Sequence, residues 1–362
     1  MQIIQDRRAL HQIPELERDL PKTVAYLTRA LEKLSCQLSF PIPGAVCAFF
    51  DFGASSAIAF RSDADAIPIT EKTGLPFASQ HPGQMHACGH DGHMAILLEL
   101  ARRLDQKKTL PRNVLLVFQP AEESVGGAKD ICDTGIFRQH NVEAIFGLHL
   151  WPGLAEGTVV SRREEMVSHS CEVNVEITGR SAHVAKAKEG IDALAAAVEF
   201  YRTVTELEQA LPDSVFRLLK FGKFDSGTVR NAVPGHARLE GSLRAFQDDV
   251  FNTLYHGIFA AARQIEQRTG CTFSIHMHDG YPAVINDGAL YDKIRTLADF
   301  EELEQPSMIA EDFAWYQKHM PGIFFFLGIG DTPALHADTF NFDETILLKG
   351  ADFFENLAEK YQ

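Results

Sequence analysis

Three short runs of this chain are apolar at almost every position, and they constrain its fold more than any other feature. They are residues 113–118 (NVLLVF), 143–149 (EAIFGLH) and 322–327 (GIFFFL). Strands that are apolar on both faces are typical of a sheet covered by helices on both sides. Segments with helical spacing lie before and between these runs, at 94–104 and 127–135 respectively. The sequence therefore predicts an α/β domain built on a mixed sheet, with helices on both faces.

The pattern changes after about Met166. Residues 170–178 (SCEVNVEIT) alternate polar and apolar side chains, which is typical of an antiparallel strand with one buried face. The segments up to residue 279 then follow the order strand, helix, strand, strand, helix, strand, the split βαβ pattern of a small α+β domain. We expect this domain to be inserted in the larger one. The predicted boundaries are 1–166 and 282–362 for the larger domain and 167–281 for the inserted domain.

The charge of the chain excludes some classes of partner. It has 49 acidic and 34 basic side chains, with a formal net charge of -15. Nucleic acid and anionic membranes both require a basic face, so neither is an expected partner. The first residues lack the apolar core of a signal peptide, and the apolar runs are too short to span a bilayer. Six scattered cysteines do not form a disulfide framework, so we expect a cytoplasmic protein.

The densest group of chemically active side chains lies at residues 85–93 (MHACGHDGH). Imidazole and thiolate groups are ligands for Zn²⁺ and related metals. Cys88 and His90 are two residues apart and can point to the same side of an extended or turning segment. The other interpretation is a polar loop that opens a helix, with Asp91 as its cap.

Further candidate ligands follow the predicted strands. Glu122 and Glu123 (QPAEE) come after one strand, and such a pair can supply both a metal ligand and a general base. Taken alone, adjacent glutamates are more often a solvated strand end. Asp63, Asp65 and His149 also lie at strand ends, where an aspartate pair suits a turn and a lone histidine suits the core. Their coincidence at the carboxyl ends of core strands, where α/β sheets bind ligands, favours one metal site.

These motifs give the sequence a resemblance to a known family. It resembles the M20 metallopeptidases, and within them the amidohydrolase branch of hippurate hydrolases, N-acyl-amino-acid amidohydrolases, auxin-conjugate hydrolases and N-acetyldiaminopimelate deacetylases. MHACGHDGH together with QPAEE is the most specific part of the match. The remaining motifs are RRALHQIPEL (7–16), RSDADAIPI (61–69), GLHLWP (147–152), GRSAH (179–183), NAVPGHARLEGSLRAF (231–246), AEDFAWY (310–316) and LHADTF (335–340).

The resemblance implies a catalytic domain that holds two divalent metal ions, with Zn²⁺ or Mn²⁺ expected and Co²⁺ or Ni²⁺ as alternatives. The implied ligands are Cys88, as a bridging thiolate, with His90, Glu123, His149 and His336. It also implies that Glu122 is the general base. Asp65 is expected to orient a ligand imidazole or the bridging group.

The resemblance further implies that the inserted domain is a lid, which often forms a homodimer. His183 is expected near the substrate carbonyl, where it donates to the developing oxyanion. Asn231 and Arg244 are expected to contact the substrate carboxylate, since a guanidinium binds a carboxylate through two parallel hydrogen bonds. Lid closure would exclude water.

The implied function is hydrolysis of the amide bond of a small N-acyl amino acid, such as an N-acetyl or N-benzoyl derivative. Within the same class, deacetylation of N-acetyl-diaminopimelate and cleavage of dipeptides are alternatives. Two functions of other kinds stay open, namely a non-catalytic metal-dependent binding protein and a hydrolase with Cys88 as nucleophile. Glu122 argues against a pure binder, which has no need of a base beside the metals.

Overall fold

The computed structural model describes the backbone of residues 1–362 and every side chain except that of Asp279. The chain forms two compact units. The first consists of Met1–Met166, Val284–Gln305 and Asp312–Gln362, and the second of Val167–Ala283 and Pro306–Glu311. In sequence, the second unit is thus inserted in the first. The role of the second unit as a lid stays a prediction.

The described chain contains both helices and strands throughout its length. The helices are α1 (Gln2–His11), α2 (Pro21–Leu31), α3 (His90–Asp105), α4 (Ala128–Asp133), α5 (Ile136–Gln139), α6 (Ala193–Gln209), α7 (Asp248–Thr269), α8 (Gly288–Arg295), α9 (Ala314–Gln317) and α10 (Leu347–Lys360). Short 3₁₀ turns lie at Val184–Glu189 and Glu344–Ile346. Among the described residues, no helix combines the length and the apolar composition needed to cross a membrane.

The strands complete the inventory of regular elements. They are β1 (Gln37–Ser39), β2 (Val46–Phe50), β3 (Ala57–Asp63), β4 (Asn113–Gln119), β5 (Val142–Trp151), β6 (Val159–Ser161), β7 (Glu164–Val167), β8 (His169–Thr178), β9 (Ala182–His183), β10 (Arg217–Ser226), β11 (Ala232–Val233), β12 (His236–Ala245), β13 (Thr272–Asp279), β14 (Val284–Asn286), β15 (Glu301–Glu302) and β16 (Gly322–Gly328). All three apolar runs of the sequence lie in strands, namely β4, β5 and β16.

The first unit is built on a mixed sheet with the strand order β1-β2-β4-β3-β5-β16-β6-β15. Its centre is parallel, because β3 pairs in parallel with β4 and β5, and β5 pairs in parallel with β16. At one end of the sheet, the edge strand β1 pairs antiparallel with β2, and β2 pairs antiparallel with β4. Every residue of β3, β4 and β16 is buried, so both faces of these strands are covered. The predicted α/β class is confirmed.

The second unit contains an antiparallel sheet with the order β10-β12-β8-β13. Side chains of β8 alternate between buried and solvent-facing positions, and Val173 and Val175 lie on the buried face. This apolar face belongs to one core with α6 and α7, represented by Phe200 and Leu254. The order of elements, β8-α6-β10-β12-α7-β13, is the split βαβ arrangement, so the alternating pattern and the fold class it predicted are confirmed.

The parallel centre of the first sheet determines where its polar side chains meet. The last paired residues of β3 and β4 are Asp63 and Gln119. The pairing of β3 with β5 ends at Arg61 and Gly147, two residues before His149. Because parallel strands end at the same edge of a sheet, the residues that follow these strands lie close together in space.

Candidate metal centre

The two glutamates of QPAEE lie where the backbone leaves β4. Glu122 is buried and Glu123 is only partly accessible, so the pair is not an ordinary solvated strand end. The preceding Ala121 has a φ of 62°, a left-handed conformation that is uncommon for a residue with a side chain. Its carbonyl oxygen accepts a hydrogen bond from the N–H of Gly126 at 2.9 Å, which closes the turn. The turn thereby directs both carboxylates toward the sheet edge.

Cys88 and His90 are placed by the start of helix α3. Gly89 precedes the helix in a left-handed conformation with a φ of 89°, which glycine adopts without steric cost. A Cβ atom on Gly89 would lie 3.1 Å from the Leu150 side chain, so the turn also needs the space that glycine leaves. His90 is the first residue of α3. The glycine turn therefore brings the thiol and the imidazole to the same sheet edge.

His336 reaches the cluster from the segment after β16. Its backbone is also left-handed, with a φ of 66°. Its N–H donates to the carbonyl oxygen of Ala87 at 2.8 Å, which ties the segment to the residue before Cys88. Its Nε2 lies 3.1 Å from Oε1 of Glu123. Uncommon backbone conformations of this kind, held by surrounding bonds, concentrate at functional sites.

The predicted ligands form one continuous cluster. Three overlapping groups have potential ligand atoms within 4.8 Å of one another: Cys88, Glu123 and His336; His90, Glu122 and Glu123; and Asp63, His90, His93 and His149. The groups are linked by the Sγ of Cys88, which lies 3.4 Å from Nε2 of His149. Nε2 of His90 lies 3.8 Å from Oε1 of Glu123. The structure thus brings together all five side chains that the sequence assigned as ligands.

Hydrogen bonds orient the lone pairs of two histidines into this cluster. Nδ1 of His90 lies 2.8 Å from the carbonyl oxygen of Asp65, and Nδ1 of His149 lies 2.7 Å from that of Leu150. A carbonyl oxygen only accepts, so Nδ1 carries the proton in both rings. In the neutral rings, the lone pairs are therefore on Nε2. This is how metal-binding histidines are commonly held.

The side chains fit divalent cations. Nε2 of His90 is buried and has no hydrogen-bond partner among the described residues. A buried polar atom without a partner is costly unless a ligand satisfies it. Thiolate, imidazole and carboxylate donors in one cluster are typical of zinc and neighbouring transition metals. Cys88, His90, Glu123, His149 and His336 are thus the residues that would hold such ions.

The cluster is strongly coupled electrostatically. Burial disfavours a charged His90, but the carboxylates of Asp63, Asp65 and Glu123 outweigh burial and raise its pKa to about 10. Burial and the nearby glutamates raise the pKa of the Cys88 thiol well above its usual value. Burial opposes ionisation of Glu123, yet the hydrogen bond from His336 and the charge of His90 lower its pKa to about 2. A cation that binds here competes with protons on His90 and Cys88.

Asp65 braces the turn that carries the two glutamates. Its Oδ1 accepts from the N–H of Glu122 and its Oδ2 from the N–H of Glu123, both at 3.0 Å. Its side chain lies 3.7 Å from Nδ1 of His90, whereas its carbonyl oxygen accepts that proton. Asp65 thus contacts a predicted ligand imidazole through its backbone and the glutamates through its carboxylate.

Sequence reasoning gave no role to His93, which lies in the same cluster. Its Nδ1 lies 2.6 Å from Oδ1 of Asp63, and its Nε2 accepts from the N–H of Leu150 at 2.9 Å. The available signal was its spacing, since His90 and His93 are three residues apart and face the same side of α3. Spacing could not show that both ring nitrogens of His93 are already engaged.

The predicted lid residues all lie in the second unit. His183 ends β9, which pairs with β11 next to Asn231, and both residues are exposed. Nδ1 of His183 accepts from the N–H of Ala185 at 3.2 Å, so the neutral ring carries its proton on Nε2. Arg244 on β12 is half-buried, and burial lowers its pKa. Its Nη1 donates to the carbonyl oxygen of Met308 at 2.5 Å.

Comparison with known proteins gives consistent matches over the whole chain. The sequence profile of peptidase family M20/M25/M40 matches residues 59–360. An uncharacterised hydrolase of Staphylococcus aureus strain USA300 is 32% identical over 375 residues, covering 99% of this chain and 98% of the relative. A crystal structure of a protein from methicillin-resistant Staphylococcus aureus has a TM-score of 0.90 at 28% identity, with 99% and 96% of the two chains covered.

A second solved structure bears on the metal centre. The Bacillus subtilis protein YXEP, described as a dinuclear metal-binding peptidase of family M20, has a TM-score of 0.84 and 30% identity. The match covers 99% of this chain and 96% of that one. This chain has the same fold and carries a cluster of candidate ligands.

Proposed function

Because this chain belongs to peptidase family M20/M25/M40, we propose that it is a metal-dependent amidohydrolase that removes the acyl group from a small N-acyl amino acid. The single observation that carries the proposal is the buried cluster in which Glu122 lies beside Cys88, His90 and Glu123. A cluster that only binds ions has no need of this additional carboxylate.

Two divalent ions, with Zn²⁺ or Mn²⁺ expected and Co²⁺ or Ni²⁺ as alternatives, supply Lewis acidity that polarises an amide carbonyl and makes water a better nucleophile. Glu122 is then the base that accepts a proton from the attacking water and passes it to the leaving amine. The carboxylate of Asp65 accepts a hydrogen bond from the backbone N–H of Glu122, which holds Glu122 in place. The geometry of the base is therefore fixed by the fold of the turn.

The second unit is proposed to bind the rest of the substrate. The Nε2–H of neutral His183 is a donor suited to the oxyanion that develops on the carbonyl. Asn231 and Arg244 are proposed to bind the substrate carboxylate. Arg244 supports this role because its guanidinium is half-buried, and its Nη1 donates to a neutral carbonyl oxygen. A carboxylate would form stronger, charge-assisted bonds with it.

The role of Glu122 is tested by replacing it with glutamine. Glu122→Gln should still bind metal and substrate but lower kcat by about 10²- to 10⁴-fold, the usual contribution of a general base. Glu359→Gln is the matched control, because Glu359 forms only a surface pair with Lys107. Unchanged turnover in Glu122→Gln would remove this residue from the mechanism.

Metal dependence is tested with the wild-type protein. Thorough chelation should abolish hydrolysis of N-benzoyl-glycine. Adding Zn²⁺, Mn²⁺, Co²⁺ or Ni²⁺ to the apo-protein should restore it, and the order of activities would identify the preferred ion. Elemental analysis gives the number of ions per chain. Full activity after chelation would contradict the proposal and favour a nucleophilic Cys88.

The carboxylate preference is tested with paired substrates. Arg244→Met should lower kcat/KM for N-benzoyl-glycine by about 10- to 100-fold, because a hydrogen bond to a charged group is worth about 1.5–3 kcal/mol. It should have little effect on N-benzoyl-glycinamide, which lacks the carboxylate. Arg238→Met, an exposed position on the same strand, is the control. Equal losses on both substrates would contradict a carboxylate contact.

A substrate panel separates the activities within this class. N-acetyl amino acids, N-benzoyl-glycine, N-acetyl-diaminopimelate and simple dipeptides should give clearly different kcat/KM values. We expect the N-acyl amino acids to give the highest kcat/KM values. Preference for N-acetyl-diaminopimelate or for dipeptides would instead identify a deacetylase or an exopeptidase, and binding without turnover would indicate a non-catalytic binder.

We further propose a homodimer formed through the second unit, in the cytoplasm. Leu194, Val198 and Tyr201 support the dimer, because they are exposed apolar residues four and three positions apart on one face of α6. The strand β10 lies at the edge of its sheet and offers backbone groups for pairing. A reducing compartment is consistent with six free cysteines. Light scattering should give twice the mass of 40.2 kDa, and Val198→Glu should shift the mass toward the monomer.

A further inference from the structure

His93 lies among potential metal ligands, but its hydrogen bonds leave it no lone pair for an ion. The amide N–H of Leu150 can only donate, so Nε2 of His93 must be the unprotonated nitrogen. Nδ1 then carries the proton and donates it to Oδ1 of Asp63 at 2.6 Å. The ring is only 2% exposed, and because Nε2 accepts a hydrogen bond, the ring carries a single proton, on Nδ1. Both ring nitrogens are therefore occupied by the protein itself.

The bond to Leu150 replaces a missing strand neighbour. The pairing of β5 with β3 ends at Gly147, so the residues of β5 beyond it have no partner strand on that side. His93 accepts the N–H of Leu150 there. The carbonyl oxygen of Leu150 in turn accepts the Nδ1–H of His149 at 2.7 Å. His93 thus holds the N–H of Leu150, the residue whose carbonyl oxygen fixes the ring of His149.

The other side of His93 rests on a fully buried ionic network. Arg61 donates through Nη1 to Oδ2 of Asp63 and through Nη2 to Asp312, both at 2.9 Å, and through Nε to Gln119 at 2.8 Å. With one oxygen bound by Arg61, Asp63 presents its other oxygen to His93. Because that oxygen accepts, it selects the tautomer in which Nε2 of His93 can accept the N–H of Leu150.

We propose that His93 is a positioning residue that aims Nε2 of His149 at the metal centre, and that Asp63 selects the His93 tautomer this requires. The inference rests on the proposed function only in that a metal occupies the cluster. Partners of this kind typically change metal affinity or activity by about 10- to 100-fold when they are removed. His93 itself is not a ligand in this assignment.

Two substitutions separate the two bonds of His93. The amide of glutamine reaches about as far as Nε2 of histidine, and that of asparagine about as far as Nδ1. His93→Gln should keep the bond to Leu150 and retain Co²⁺ affinity within about threefold. His93→Asn should lose that bond and lower the affinity for one of the two Co²⁺ ions by about 10- to 100-fold. Calorimetric titration of apo-protein with Co²⁺ measures both values without any substrate.

A control separates positioning from general destabilisation. Asn286 is buried in the same unit, and its hydrogen bonds go to Ser161, Arg162, Gln317 and Phe324 rather than to the cluster. Asn286→Ala should lower thermal stability and leave Co²⁺ affinity unchanged. If His93→Asn behaved like Asn286→Ala, with lower stability and normal affinity, a merely structural role would replace the proposal.

A measurement on the wild-type protein keeps the proposal testable if the variants do not fold. With ¹⁵N-labelled histidine and ¹¹³Cd²⁺ as the probe, Nε2 of His149 should show a coupling to cadmium. His93 should show none and should carry its proton on Nδ1. A cadmium coupling to His93 would overturn the proposal. Absence of N-acyl-amino-acid hydrolysis, by contrast, would overturn the proposed substrate and leave this assignment standing.

Discussion

The carboxylate of Asp65 is predicted to hold the turn that carries Glu122 and Glu123, and Asp65→Asn is the substitution that tests it. The two carboxylate oxygens accept the N–H groups of Glu122 and Glu123, both at 3.0 Å. Asparagine has the same shape but only one acceptor oxygen. Its NH₂ group would face one of the two backbone N–H donors, so one bond is lost and replaced by a contact between donors. The bond from His90 to the backbone carbonyl of residue 65 is kept.

The size of the effect follows from these bonds. A hydrogen bond to a charged group is worth about 1.5–3 kcal/mol, and a buried N–H without a partner adds about 1–3 kcal/mol. Burial raises the pKa of Asp65, which means that its charged form carries a desolvation cost that asparagine avoids. We therefore expect Asp65→Asn to lower the free energy of unfolding by about 2 kcal/mol, near the lower end of these ranges. For a chain of 362 residues, whose unfolding entropy is about 2.1 cal/mol/K per residue, that lowers Tm by about 3 °C.

The assay combines unfolding with kinetics. Thermal and urea unfolding of the metal-free protein give the stability change. If Glu122 is the base, as proposed, kcat on the best N-acyl amino acid should fall by about 10- to 100-fold because this side chain is displaced. Asp130→Asn is the control, since Asp130 forms a surface pair with Arg18 at 2.5 Å and should change stability by less than about 0.5 kcal/mol. If Asp65→Asn matched this control in stability and in kcat, the bracing role would be refuted.

Two further predictions concern His11 and Gly127, which both lie in the first unit. His11 is buried, which lowers its pKa, but the carboxylates of Asp91 and Glu71 outweigh burial and raise the pKa from 6.5 to about 9. The stabilisation from protonated His11 is therefore complete below about pH 6.5 and is lost as the pH rises to 9. In urea unfolding, the stability of wild type relative to His11→Gln should fall by on the order of 2 kcal/mol over that window, and a constant difference would contradict this prediction. A Cβ at Gly127 would lie 2.1 Å from a backbone oxygen, so Gly127→Ala should lower the free energy of unfolding by about 1–3 kcal/mol. A Cβ at Gly222 would meet nothing within 4 Å, so Gly222→Ala should be neutral in the same assay, and equal effects of the two substitutions would refute the steric argument.

Much of the fold could be predicted from the sequence because burial leaves a direct pattern. The apolar run at 113–118 became β4, and the alternating run at 170–178 became β8. The location of the candidate site also followed, since parallel strands that end together must bring residues such as Asp65 and Glu122 to one edge. Local pattern and topology were sufficient for both.

The orientation of individual side chains could not be predicted in this way. The role inferred for His93 depends on where the pairing of β5 with β3 ends, and no sequence pattern marks Gly147 as that point. The left-handed backbone of Ala121 likewise has no signal, because glycine or asparagine would be the usual residue there. The three-dimensional partner of each polar atom decides these features, and that partner is distant in sequence.

The short segment Pro306–Glu311 has a practical consequence for anyone who wishes to study the second unit separately. Ser307 forms a bridge with Val167, and the carbonyl oxygen of Ile309 accepts from the hydroxyl of Ser168 at 2.9 Å. A gene fragment limited to residues 167–283 would leave out this peptide and expose the polar groups that it covers. Supplying the peptide separately, or joining it through a new linker, is therefore the way to obtain the second unit intact.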